Sequence, residues 1–154
     1  MEPLQTYEIP LLHPIAVHFP IALLSMGTVA VLFWAARPSV FWYRCAALAY
    51  LAGSLGTIAA YFTGEAAEDA AKDVPIVEEI VDLHEDMAIW TLAAALVTLL
   101  AIVLANPRLL SGSDDQAHPN LLARTAISLL AVISAVLVAW TSHLGGLMVW
   151  GVPR

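Results

Sequence analysis

Histidine is the residue type through which this chain can do chemistry. Of its five histidines, His13, His18, His84 and His143 lie on three separate apolar segments. An ionisable side chain in such a segment is costly and is ordinarily kept for a site. Neutral imidazole is the commonest metal ligand and the usual axial ligand of non-covalent haem. Two imidazoles on different helices can hold haem b iron from opposite faces, leaving no substrate position and suiting electron transfer. His18, His84 and His143 are the first candidates for such ligands, with His13 in reserve or serving a second haem. The same residues also suit a bare zinc, copper, manganese or non-haem iron ion, joined by Glu65, Glu68 or Glu85.

These side chains can cooperate only if the chain carries them to one level. Of the 154 residues 60% are hydrophobic and 12% charged, against about a quarter charged in an average soluble domain. Four stretches, approximately 11–36, 40–63, 83–105 and 121–150, reach the roughly 20 apolar residues that cross a bilayer. They fill residues 1–154 with one all-α, up-down-up-down four-helix membrane domain. The first stretch lacks the basic n-region of a signal peptide, carrying Glu2 and Glu8 instead, and reads as a retained helix. A lone Cys45 excludes a disulfide framework and a Cys-rich centre, and no C-x-x-C-H motif offers covalent haem attachment.

With four crossings both termini share a side with the 64–82 connection. The opposite side holds Arg37, Arg44, Arg108 and Arg124, against Lys72 and Arg154 on the terminal side. Short loops rich in Arg and Lys are cytoplasmic, so the termini are expected to face the periplasm across a bacterial inner membrane. Aromatic residues mark the span ends: Phe33, Trp34, Phe41, Trp42 and Tyr43 at the cytoplasmic interface, Tyr7, Phe19, Tyr61, Phe62 and Trp150 at the other.

On these directions His13, His18, His84 and His143 all fall near the periplasmic level. Pro14 suits a first helical turn, while Pro20 kinks the first helix and frees carbonyls near Ala16. His13 and His18, five residues apart, diverge by about 140°, so a straight helix cannot aim both at one ion. The second helix carries Ala52, Gly56, Ala60 and Gly64 at four-residue spacing, a stripe suited to close helix approach or to a flat cofactor. A helix opening at Pro75 would place Ile76, Ile80, His84, Met87 and Ala88 on one face, with His84 turned inward. On the fourth helix Gly145 and Gly146 follow His143, and Ala131, Ser134, Ala135, Ala139 and Ser142 offer further small positions. His118 belongs to a polar loop and reads as solvated. His84→Ala or His143→Ala is therefore expected to abolish cofactor binding, and His118→Ala to leave it intact.

The strings LHPIAVHFPIALL, TGEAAE, LHEDMA and SHLGGLMVWG resemble a bacterial membrane family catalogued as domain of unknown function 2231. The resemblance spans nearly the whole chain and implies four transmembrane helices in a prokaryotic inner membrane, in some members beside c-type cytochromes or rubredoxin-like modules. It implies no established activity. The chain departs from the family in its short end, Gly151-Val152-Pro153-Arg154.

The expected function is thus a membrane redox protein holding haem b at its periplasmic face, an oxidoreductase or electron-transfer component if it is an enzyme. A non-haem metal site is the first alternative. An accessory subunit is the second, docking a periplasmic cytochrome through the nine acids between Glu65 and Asp86. The expected partners are the lipid bilayer, a periplasmic cytochrome or quinol, and a second copy of the chain in a homo-oligomer. Basic charge is too sparse for nucleic acid, and no P-loop or dinucleotide fingerprint occurs.

Overall fold

The computed structural model describes residues 12–68, 75–105 and 119–150, with the side chains at 68, 75–79 and 149–150 outside that description. Four helices occupy them: α1 (Leu12–Ala36), α2 (Val40–Glu68), α3 (Pro75–Ala105) and α4 (Leu121–Trp150). Each contains a stretch long and apolar enough to cross a membrane. The third helix opens at Pro75, where a missing N–H removes no hydrogen bond. α2 runs to Glu68, five residues beyond its expected apolar end at 63. His118, Tyr7, Lys72, Arg108 and Arg154 lie outside the described residues.

The helices form a ring in which α1 packs on α2 and α4, and α3 packs on α2 and α4. Glycines set the α1–α2 spacing. A Cβ on Gly27 would come within 2.9 Å of the Tyr50 ring, one on Gly53 within 2.7 Å of Leu24 Cδ2, and one on Gly56 within 3.1 Å of Pro20 Cδ. Ascending positions of α1 thus meet descending positions of α2. Ala52, in the expected stripe, is exposed, and Gly53 takes the close approach instead. Four-residue spacing advances the face by about 40° per step, so a strict i+4 stripe rotates off the contact line.

Large apolar side chains cover the outside, among them Met26, Phe33, Leu48, Leu100 and Val136. Such a surface would aggregate in water and is what a lipid-embedded bundle presents. The core at the Ala36 end is apolar, built on Val31, Trp34, Tyr43, Ala46, Ile102 and Ile127. Trp34 and Tyr43 differ here from the interface role expected of them: they are 3% and 4% exposed, with ring centres 4.9 Å apart. The Tyr43 hydroxyl donates to the Ile102 carbonyl, so its one polar atom is served inside the bundle. Phe33 and Phe41 do stay on the outside.

At mid-bundle the interior turns polar and ties all four helices. Thr28 Oγ1 lies 2.9 Å from the Tyr50 hydroxyl and 3.0 Å from the Ala131 carbonyl. Thr98 Oγ1 lies 3.0 Å from Ser134 Oγ, and Ser134 also hydrogen-bonds Tyr50. Away from water these hydroxyls need partners inside the protein, and most back-bond to a carbonyl one turn away as well.

Candidate functional site

At the far end of the interior from the apolar core, two of the four candidate histidines meet. His13 stands in the first turn of α1 and leans on α2: its Nδ1 is 3.0 Å from the Ala60 carbonyl and 3.2 Å from Thr63 Oγ1. His84, on α3, leans on α4, with Nδ1 3.0 Å from the Thr141 carbonyl. A carbonyl only accepts, so in each neutral ring Nδ1 carries the hydrogen and donates, and Nε2 keeps its lone pair. The ring planes are nearly perpendicular, at 88°, with centres 6.2 Å apart.

Glycine makes this possible twice. A Cβ on Gly64 would lie 3.0 Å from His13 Cε1, and one on Gly145 would lie 3.3 Å from His84 Cε1. Each ring therefore rests directly on the backbone of its neighbour helix. Gly146 plays no such part, with nothing within 4 Å of the position a Cβ would take. Beneath His84, Thr91 Oγ1 and Thr141 Oγ1 pair at 2.9 Å, steadying the segment whose carbonyl holds the ring.

The other candidates are placed elsewhere. His18 is exposed and turns its Nδ1 back to the Pro14 carbonyl of its own helix. His143 is exposed beside Trp140, ring centres 6.0 Å apart. Glu65 is exposed and Glu85 half-buried, and among the described residues neither hydrogen-bonds a histidine. The side chain of Glu68 lies outside the described ones. Among the described residues no three His, Cys, Asp or Glu side chains gather as a metal-binding group, so what stands here is a pair.

Thr63, Thr91 and Thr141 had no place in the sequence reading, yet they hold the pair and its floor. A usable signal existed in seven-residue steps. His13, Pro20, Gly27 and Trp34 repeat at seven along α1, as do His84, Thr91 and Thr98 along α3, and all except the half-buried histidines are buried. His18 and His143 fall off those lines.

The arrangement offers two neutral nitrogen lone pairs from different helices, fixed in tautomer and orientation by backbone carbonyls. Metal-ligating histidines are oriented the same way, by an acceptor on the other ring nitrogen. A family model described as "Predicted membrane protein (DUF2231)" matches residues 9–152. No curated protein and no solved structure matches the chain.

Proposed function

Because the chain belongs to the family of predicted membrane proteins catalogued as domain of unknown function 2231, we propose a function that uses the bilayer: electron transfer through a haem b whose iron is held by His13 and His84. The observation that carries this reading is the separation of the two rings. With metal–nitrogen bonds of about 2.0–2.1 Å, imidazoles on opposite faces of one iron have centres roughly 6–6.5 Å apart. The rings of His13 and His84 have centres 6.2 Å apart, on helices that face each other across the ring of four. Haem b held in this way supplies one-electron transfer and leaves no open position for a substrate.

The chain's own residues do the positioning. Ala60 and Thr141 accept from Nδ1 and keep each Nε2 free, which also raises the donor strength of the ring. Gly64 and Gly145 set how far each ring stands from its neighbour helix. We place the chain in the inner membrane as an up-down-up-down bundle with periplasmic termini, on the excess of Arg at the opposite end. The pair then lies at the periplasmic level, within reach of a quinol or of a cytochrome drawn by the acids between Glu65 and Asp86.

A second reading is a single small ion, zinc, copper or non-haem iron, between the same two rings. It is favoured by how closely both rings lie on the α2 and α4 backbones, which suits a small occupant. Purification from cells supplied with haem and metals, followed by haem and elemental analysis of one sample, separates the two. One haem per chain supports the first reading; stoichiometric zinc, copper or haem-free iron supports the second. A protein with none of these overturns both.

A further inference from the structure

Ser54 is 2% exposed, and its Oγ has no hydrogen-bond partner among the described residues. Tyr50, one turn away on the same helix, is fully satisfied. In a membrane bundle an unserved hydroxyl carries its full desolvation cost, so a partner is required. Register along α2 and α3 indicates where that partner sits. Tyr43 meets Ile102; Ser54 lies eleven residues after the one, and Thr91 lies eleven before the other. Ser54 therefore stands at the level of the Thr91–Thr141 pair, seven residues along α3 from His84 and ten along α2 from Gly64, or about 10–15 Å below the histidines at 1.5 Å per residue.

Buried polar groups surround Ser54 on both sides, and the polar part ends at the Tyr50 level. Thr57, one turn nearer the histidine pair, and Thr91, at the level of Ser54, are both buried. Pro20 is buried in α1 and has no N–H, which removes the helical donor for the Ala16 carbonyl in the same stretch. Thr98, Ser134, Tyr50 and Thr28 close the polar part just below. Beyond them the interior holds Val31, Trp34, Ala46, Ile102 and Ile127, with the Tyr43 hydroxyl taken by the Ile102 carbonyl; Arg124, whose Nε is the other buried side-chain atom without a partner among the described residues, lies past this core beside the Ala35 carbonyl.

We infer that the half of the bundle between the His13–His84 pair and Tyr50 holds internal water seated on the Ser54 hydroxyl, and that the apolar core around Trp34 and Ile102 seals it from the opposite end. A buried water is retained where it makes about three hydrogen bonds to otherwise unserved groups. Ser54 Oγ and the Ala16 carbonyl are such groups, and the already bonded hydroxyls of Thr57, Thr91 and Thr141 can each accept once more. Water there extends the polar interior from the histidine end to mid-bundle and not through it. This inference stands whether or not the pair holds a metal.

Silver ion, a small probe of thiolate, tests it. Thiolate forms only where water can solvate it, so blocking rates read internal hydration. In a Cys45→Ser background, Ser54→Cys is compared with Ala46→Cys from the sealed core, counting thiols left for maleimide after denaturation. The inference expects Ser54→Cys to be blocked at least about ten-fold faster than Ala46→Cys. Equal rates, or a Ser54→Cys thiol that stays unreacted, overturn it. If Ser54→Cys does not assemble, Ser54→Ala decides. Loss of a water-bridged hydroxyl lowers Tm by about 2–4 °C. Removal of an unserved one leaves Tm unchanged or raises it, which overturns the inference.

Discussion

His13 and His84 face each other across the bundle with nearly perpendicular ring planes and centres 6.2 Å apart, and each is tied through Nδ1 to a backbone carbonyl of a different neighbouring helix. The pair thus draws on all four helices: α1 and α3 supply the rings, α2 and α4 the carbonyls that orient them. Neither ring is positioned by its own helix alone, so the geometry exists only in the assembled bundle.

If the two rings hold a haem or metal ion as proposed, removing either should remove it. His13→Ala and His84→Ala are expected to lose the bound haem or metal, with partial recovery when imidazole is added to the purified protein. His18→Ala and His143→Ala, whose side chains are exposed, should retain it in full. Metal and haem content per chain, measured across the four variants, checks this. It departs from the expectation that His143 would be essential, because α4 turns Thr141 and Gly145, not His143, toward His84.

The two glycines beneath the rings should be sensitive and their neighbour indifferent. Gly64→Ala places a methyl 3.0 Å from His13 Cε1, and Gly145→Ala one 3.3 Å from His84 Cε1. Overpacking of this kind costs about 1–3 kcal/mol where the neighbour cannot move. Gly64→Ala is expected to lower Tm and weaken cofactor retention, Gly145→Ala to do so less, and Gly146→Ala to do neither. Thermal melts in detergent with cofactor quantification distinguish the three.

Leu24 and Gly53 should be energetically coupled. Leu24 is fully buried and lies 2.7 Å from where a Gly53 Cβ would stand. Leu24→Ala alone is expected to cost about 2–5 kcal/mol and Gly53→Ala alone about 1–3 kcal/mol. The double variant should cost clearly less than their sum, since the lost leucine leaves room for the added methyl. Additive costs would contradict this packing.

Tyr50→Phe should cost about 0.5–1.5 kcal/mol in detergent unfolding, the range of an internal hydrogen bond. Its hydroxyl bonds Thr28 and the Ala131 carbonyl, but Thr28 still reaches that carbonyl without it. The loss should therefore stay at the low end, with the histidine pair undisturbed.

The four spans were legible because length and hydropathy decide membrane crossing, and these depend on composition more than on packing. The start of α3 at Pro75 was legible for a local reason, the tolerance of proline in a first turn. Depth of the histidines followed from counting residues along each helix. What counting does not supply is rotation. His13 and His18 differ by about 140° about the axis, and only the line through Pro20, Gly27 and Trp34 indicates which one faces inward. His143 misled because the glycines beside it suggested closeness, whereas Gly145 makes room for a ring from α3. Trp34 and Tyr43 misled because aromatics at a span end serve an interface or a core equally well; their burial follows from the α1–α2 contact.

The central claim, one iron held by His13 and His84, is tested most directly by the low-temperature electron paramagnetic resonance spectrum of the oxidised, purified protein. Ring planes at 88° are close to perpendicular, and perpendicular axial imidazoles give low-spin ferric haem a strongly anisotropic signal with one large g value. The account predicts that signal, at one spin per chain. A high-spin signal, or no ferric haem signal from protein made with haem available, would contradict it, and a rhombic low-spin signal would keep two imidazole ligands but contradict their perpendicular planes.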